Sequence, residues 1–560
     1  MTQQTTYSFN LAERPCVPVL DAAGSPTMVS LRDAVADAHL FREVHHRSPV
    51  VTAALVRLLV ALVTDIHPIR RTSDWPAVWH PGAFDAAAVD AYFTAFGDRF
   101  DLFHPRYPFY QCAALEDASP INLNLLACEL SSGNNPLLFD HTLDGRERDY
   151  SPAEAFHVLV ATQSFGLAGL LRRTTTLDGN PLYWQNAYAG PMVPGAMIWL
   201  AGDNLFETLA LNLAPLAPTD GETDADLDEA ADDRPIWRID RPETLRDRQD
   251  GKVITRVSPR GTRDRLTFQA RLVRLLPGGS ADDPVVRRAA FNHGRSLDAP
   301  GQGRFDPMLA YRASKKEGYL VTRLSPERAA WRDFHALIGL NQPAAGRPDR
   351  VTPRALHQLH ASLAMDVAGL EANRAIRLNV AGIANDQAKV LLWRHDHLDA
   401  PAFALCDENL AARLGVLLSE AEEIAATLRA GTRRLCDLFI APASVDARGA
   451  RVEGALPADT DRVTALADAV DTRPTYWARL ESAFQALLLA IAADPEGASE
   501  QWKDTIEREA RAAFEEVIER LGECPETWKA AELVRPDFRA PSRRPSQTIG
   551  KAAKRGKGPQ

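Results

Sequence analysis

A fourteen-residue run from Val50 to Val63 constrains this chain more than any other segment. It reads VVTAALVRLLVALV, with Arg57 as its only charge. At that length it falls short of the ~20 residues a membrane helix needs. A helix that is apolar all round must be covered on every side, so the run predicts a buried core helix. Ser48 and Pro49 supply a start signal and Pro68 lies beyond its end.

The rest of the N-terminal part reads as mixed elements. Val17, Val19 and Leu20 suit short strands, and Asp21 to Pro26 a turn-rich loop. Ser30 caps a helical run expected to reach His45, and another helix fits Asp85 to Phe96. HPRYPFYQ at 104–111 predicts a rigid extended segment, and 129–150 a long loop. Ser151-Pro152-Ala153-Glu154 is a capping-box signal, and the helix it starts should break at Gly166 and Gly169. Strand-like stretches follow at 266–275, 285–291 and 306–316, and a helix at 354–370. Residues 376–384 and 389–394 bracket Asn385-Asp386-Gln387-Ala388, which predicts a β-hairpin with a polar tip.

The periodicity then changes. Leu410, Leu414, Leu417, Ala421, Ile424 and Leu428 keep three- and four-residue steps, and helical runs continue at 459–468, 473–493, 499–521 and 526–534. The expected fold is α+β: a large mixed α/β N-terminal domain over 1–400, then a C-terminal four-helix bundle over 401–538. A basic tail, 539–560, has seven bases and no acids and is expected to be disordered. Residues 220–233 hold eight acids and are expected to form a solvated loop.

Charge and cysteines narrow the function classes. A formal net charge of -10 argues against a free-standing nucleic-acid binder. Only nine of the 64 Lys+Arg residues are lysines, which reads first as a compositional bias. The six cysteines form no CxxC pair, so neither a zinc ribbon nor a redox motif is visible. Scattered cysteines and a polar N-terminus without a signal-peptide core lead us to expect a cytoplasmic, non-membrane protein.

Enzyme motifs are sparse. There is no Walker A sequence and no GxGxxG opening a helix. His395-Asp396 beside His397, with His357 and His360 as HxxH, leaves one catalytic alternative: a metal-dependent nuclease or phosphohydrolase using His395 and Asp396. A polar strand end and a helix surface account for these residues more simply. QSFG at 163–166 lacks the GxSxG pattern, and the adjacent Asp140 and His141 cannot easily present both side chains to one atom.

Several segments together resemble a known family. GNNPLLFDHT at 133–142 and SPAEAFHVLVATQSFGLAG at 151–169 resemble the CasA-type large subunit of the type I-E CRISPR Cascade surveillance complex. PCVPV at 15–19, HPRYPFYQ at 104–111, TFQARLVRLLP at 267–277, DPMLAYRASKK at 306–316 and NDQAKVLLWRHD at 385–396 agree in order. The resemblance covers most of 8–535 and implies a non-catalytic subunit without a cofactor. Its implied partners are the other Cascade subunits, CRISPR RNA, target double-stranded DNA and a recruited helicase-nuclease. Its implied task is to read the protospacer-adjacent motif (PAM) and begin strand separation for R-loop formation.

It also implies site residues. Phe139, Asp140 and His141 match a long loop that contacts the RNA end and the motif. Gly166, with Gly169, matches a glycine loop whose backbone approaches the minor groove. Gln387 matches a glutamine wedge, flanked by Asn385, Asp386 and Ala388. The family's minor-groove lysine finger is assigned here to Arg295, with His293 second, because no lysine lies between Lys252 and Lys315.

Overall fold

The computed structural model describes residues 6–544 except 128–129, 131–146, 171–174, 183–185, 194, 217–231, 242–246, 250–251, 255, 298–304, 317, 339–349, 387–388, 443–445, 447–451, 454–457 and 523. Two compact units emerge, Met1–Ala411 and Ala412–Gln560.

The apolar run forms α1 (Pro49–Ile66), capped by the Ser48 hydroxyl, and 89% of it is buried. Its one charge is answered inside the fold. Arg57 donates through Nη1 and Nη2 to the two Asp306 carboxylate oxygens at 3.0 and 2.7 Å, and through Nη2 to the Arg265 carbonyl at 2.7 Å. Both side chains are 1% exposed. A planar fork against a carboxylate lets a cation sit in an apolar helix.

Against α1 packs α2 (Pro152–Phe165). The expected capping box is present: the Ser151 hydroxyl accepts from the Glu154 N–H at 3.3 Å, and Glu154 accepts from the Ser151 N–H at 2.9 Å. From Ala155 to Phe165 every residue is buried, so α2 is surrounded and has no solvent face.

Three of this unit's sheets position the segments that follow. Strand β1 (Met197–Ala201) begins one of them. A second contains β2 (Arg271–Gly279) and β3 (Pro284–His293), an antiparallel pair extended by Ile121–Asn122. The third contains β4 (Tyr311–Ser314) and β5 (Gly318–Val321), a hairpin extended by Arg350–Val351. The first sheet is completed by β6 (Ala375–Asp386) and β7 (Lys389–Pro401), in the order β1-β6-β7, and α1 packs against β6 and β7.

The second unit holds most of α3 (Glu408–Ile440), then α4 (Thr460–Ala469), α5 (Arg473–Ala490), α6 (Pro495–Leu521) and α7 (Pro525–Val534). The expected apolar stripe of α3 is buried from Leu414 to Leu428, together with Tyr476, Phe484, Trp502 and Phe514. α5 packs along α6.

Several expectations need correction. The helix capped by Ser30 ends at Ala36, and Phe41–Val44 is a strand paired with Val17–Asp21. Residues 262–266 are helical, so the strand starts at Arg271, and the helix from Arg354 ends at Ala364. HPRYPFYQ is folded into turns: His104 Nδ1 accepts from the N–H of Arg106 and Tyr107, and Tyr110 has φ +57°. The acidic run is not solvated at its end. Asp233 is 3% exposed and accepts from the Arg263 and Asp264 N–H groups at 3.0 and 2.9 Å. The basic tail is ordered at its start. Arg543 pairs with Glu500, Asp504 and Glu507, and Ala540 is fully buried; residues 545–560 lie outside the described residues.

Candidate nucleic-acid interface

Gly166 closes α2 with its N–H bonded to the Thr162 carbonyl at 3.0 Å. Its φ of -58° needs no glycine; the requirement is space. A Cβ there would lie 2.7 Å from the Thr162 oxygen and 3.1 Å from Arg271 Nε. Beyond it, Gly169–Leu170 pairs as a short strand with Asn186–Ala187. The 166–169 turn is half-exposed.

A backbone seam joins this turn to the sheet. The Gly190 N–H donates to the Gly166 carbonyl at 2.8 Å, and the Met192 N–H to the Ser164 carbonyl at 3.0 Å. A Cβ on Gly190 would stand 2.7 Å from the Ser164 oxygen, so the two segments touch backbone to backbone. The chain then enters β1. There Gly195 faces Gly382 of β6, whose missing Cβ would be 2.8 Å from the Gly195 oxygen.

The hairpin β6–β7 continues past this point. β1 first pairs at Met197↔Ala381, so residues 382–386 project beyond it. At ~3.3 Å per residue the overhang is about 16 Å. The register runs to Asp386↔Lys389, with a bulge between Ala384 and Asn385. Asn385 is half-buried and Asp386 exposed. Gln387 and Ala388 lie outside the described residues, as do Phe139, Asp140 and His141. At that loop's exit, Glu147 pairs with Arg288, Asp149 with Arg287, and Arg148 with Glu154.

The β4–β5 hairpin projects from the same end. Leu309 bridges Met197, the Ala196 N–H donates to Thr322, and the ladder runs on to Ser314↔Gly318. Its tip exposes Lys315 and Lys316. In the sequence this pair reads as the end of a strand-like stretch. The available signal was that no other lysine stands between Lys252 and Lys389.

The residues assigned as the finger are interior. Arg295 Nη1 and Nη2 donate to the two Asp264 oxygens at 2.6 and 2.7 Å, its guanidinium lies 4.3 Å from the Phe268 ring centre, and its side chain is 3% exposed. His293 is also buried, against Asn292. Arg295 is therefore a core ion pair and not a projecting finger: reaching a groove would leave Asp264 buried and unpaired, a cost of about 3–5 kcal/mol.

The hydrolytic alternative gains no geometry. His395 and Asp396 are successive strand residues and point to opposite faces. His395 Nε2 bonds Asn379 Oδ1 at 2.9 Å beside the Trp199 ring, and Asp396 accepts from the Ala330 N–H at 2.9 Å. His357 and His360 sit at exposed positions on the 354–364 helix.

A further cation lies under the glycine turn. Arg271 is 2% exposed, and burial pulls its pKa down to about 10. It donates to the Leu167 carbonyl at 2.7 Å and to the Ala270 carbonyl at 2.8 Å.

Comparison with known proteins places these features in a family context. Residues 10–513 match the family described as CRISPR-associated protein Cse1. A CasA/Cse1 protein of Thermus thermophilus is 33% identical over 519 residues, covering 92% of this chain and 93% of the relative. A crystal structure of Thermus thermophilus CasA superposes with a TM-score of 0.73 at 28% identity, covering 94% of this chain and 98% of that one. Acidimicrobium ferrooxidans Cse1 gives 0.74 at 24% identity over 95% and 97%. A chain from a structure titled "CRISPR RNA-guided surveillance complex" gives 0.67 at 23% identity over 94% and 99%.

Proposed function

Because the chain belongs to the CRISPR-associated protein Cse1 family, we propose that it is the non-catalytic large subunit of a type I-E Cascade complex. In that role it recognises the protospacer-adjacent motif in double-stranded DNA, starts strand separation and helps recruit a helicase-nuclease for antiviral defence. Its partners are the other subunits, the CRISPR RNA and the target duplex. The protein reads a short duplex tag, and guide pairing reads the remaining sequence.

One observation carries the reading: two hairpin tips and a glycine turn share one end of the β1-β6-β7 sheet, linked by the Gly166–Gly190 and Gly195–Gly382 contacts. The Gly166–Gly169 turn offers backbone to a minor groove. Gln387, which follows Asp386 in the sequence, is the wedge between base pairs, where unstacking costs a few kcal/mol per step and contacts to the opened strands offset it. Lys315 and Lys316 supply the exposed cations that Arg295 cannot. Phe139, Asp140 and His141 belong to the loop that meets the RNA end.

A net charge of -10 fits a subunit whose duplex affinity depends on its complex. A gel shift on motif and non-motif duplexes, with and without the guide-RNA complex, tests this. Binding that needs both complex and motif is expected. Motif-independent binding by the free chain, or a stoichiometric metal with activity lost in His395→Ala, would overturn the proposal.

A further inference from the structure

Arg57 and Arg295 each face a carboxylate through two hydrogen bonds. Arg271 is equally buried, yet its guanidinium bonds end on backbone carbonyls, those of Leu167 and Ala270. A buried cation without an acid is costly, and an apolar side chain of similar volume would be cheaper. The surroundings nevertheless hold it firmly. The Gln163 side chain, fully buried, accepts from the Arg271 N–H at 2.9 Å and donates to its carbonyl at 2.9 Å, tying the end of α2 to the start of β2. The guanidinium lies so close under Gly166 that a Cβ there would stand 3.2 Å from Arg271 Cζ.

We infer that Arg271 is a positioning residue for the duplex-reading turn: it fixes the Leu167 carbonyl, fills the space Gly166 leaves, and sets a positive charge behind the surface that meets DNA phosphates. The inference rests on the proposed reading of Gly166–Gly169 as a duplex contact. Two features favour positioning over plain stability. The fork reaches the turn itself, and with no carboxylate meeting it among the described residues its field is directed at whatever anion approaches the turn.

Three variants in the assembled guide-RNA complex test it. Arg271→Met should weaken binding to motif-bearing duplex roughly tenfold, the scale of one specific interaction removed. Binding to a pre-opened target should stay within about twofold, and the thermal midpoint should not fall. Arg271→Lys restores the charge without the fork, so it should recover the salt dependence but only part of the affinity; it decides the matter if the methionine variant does not assemble. Parent-like duplex binding by the methionine variant, equal loss on both substrates, or full rescue by lysine would each overturn the role of the fork. Ala168→Glu separately tests the turn as a duplex contact. Weakened motif binding there, with parent-like Arg271→Met, would overturn only the Arg271 inference, whereas no effect of Ala168→Glu would overturn the reading beneath it.

Discussion

The interior of the N-terminal unit and the projecting end of its sheet treat positive charge in opposite ways. Inside, Arg57 and Arg295 are locked to Asp306 and Asp264 by paired hydrogen bonds. At the projecting end, Lys315 and Lys316 stand exposed on a hairpin tip, and Arg271 lies behind the glycine turn with carbonyls for partners. Two carboxylates therefore hold elements together in one region, while in the other no carboxylate among the described residues meets the Arg271 fork. An arginine's role here is set by whether an aspartate meets it, which its own position in the sequence does not reveal.

The sharpest way to break this contrast is to remove an interior fork. Arg57→Ala should destabilise the protein by about 3–5 kcal/mol, because Asp306 would be left buried without its fork. Denaturant unfolding measures it, and a loss below about 1 kcal/mol would show that interior pairing is dispensable.

A proton tests the same interior next. His157 is 6% exposed, its Nε2–H donates to the Cys16 carbonyl at 2.7 Å, and burial pushes its pKa from 6.5 down to about 4. The unfolded state thus binds more protons between these values. Stability from this residue is complete above pH 6.5 and falls as pH drops towards 4, by up to about 3 kcal/mol. His157→Gln should flatten that part of the stability–pH curve, and an unchanged slope would assign the acid sensitivity elsewhere.

At the projecting end the expected effects concern binding. Gly166→Leu should lower affinity for motif-bearing duplex about tenfold and spare a pre-opened target; equal loss on both would mark a folding defect. Gln387→Ala should leave assembly intact and slow duplex opening several-fold, followed with a base-analogue fluorophore. Lys315→Ala and Lys316→Ala should each weaken binding only about two- to threefold across all sequences and reduce the salt slope by roughly one for each phosphate no longer neutralised. A sequence-selective loss at either lysine would move it from phosphate contact to base reading.

Local signals in the sequence were reliable where the determinants are local. The Ser151 capping box, the apolar pattern of α1, the leucine stripe of α3 and the hairpin strands flanking NDQA each depend on residues within a few positions, and each element forms where expected. The family itself was legible from ordered segments along the chain. Long-range pairing was not. Asp306 lies 249 positions from Arg57, and nothing near Arg295 announces that Asp264 will enclose it. Phe41–Val44 continues the polarity of the preceding helix and becomes a strand only because Val17–Asp21 offers an edge. Asp233 looked like part of a solvated acidic run, but two backbone N–H groups at the start of a short helix hold it inside.

The overhang of β6–β7 has a mechanical consequence. It is a cantilever whose root lies at Ala384, because Gly382, Ile383 and Ala384 are still buried and Arg394, opposite Gly382, donates to the Ser325 and Arg328 carbonyls. The deflection of a loaded beam grows steeply with its free length, so adding one residue pair to the hairpin would soften its outer end. The bulge between Ala384 and Asn385 sits at that root, where the hairpin leaves the packed interior, and a bulge adds local twist. A twist concentrated there would turn the outer residues without moving the buried strands behind them. A load on the outer residues would thus be borne first by the buried Ile383–Ala384 stretch and only then by the Gly195–Gly382 contact behind it, which makes that close backbone approach the backstop of the projecting end.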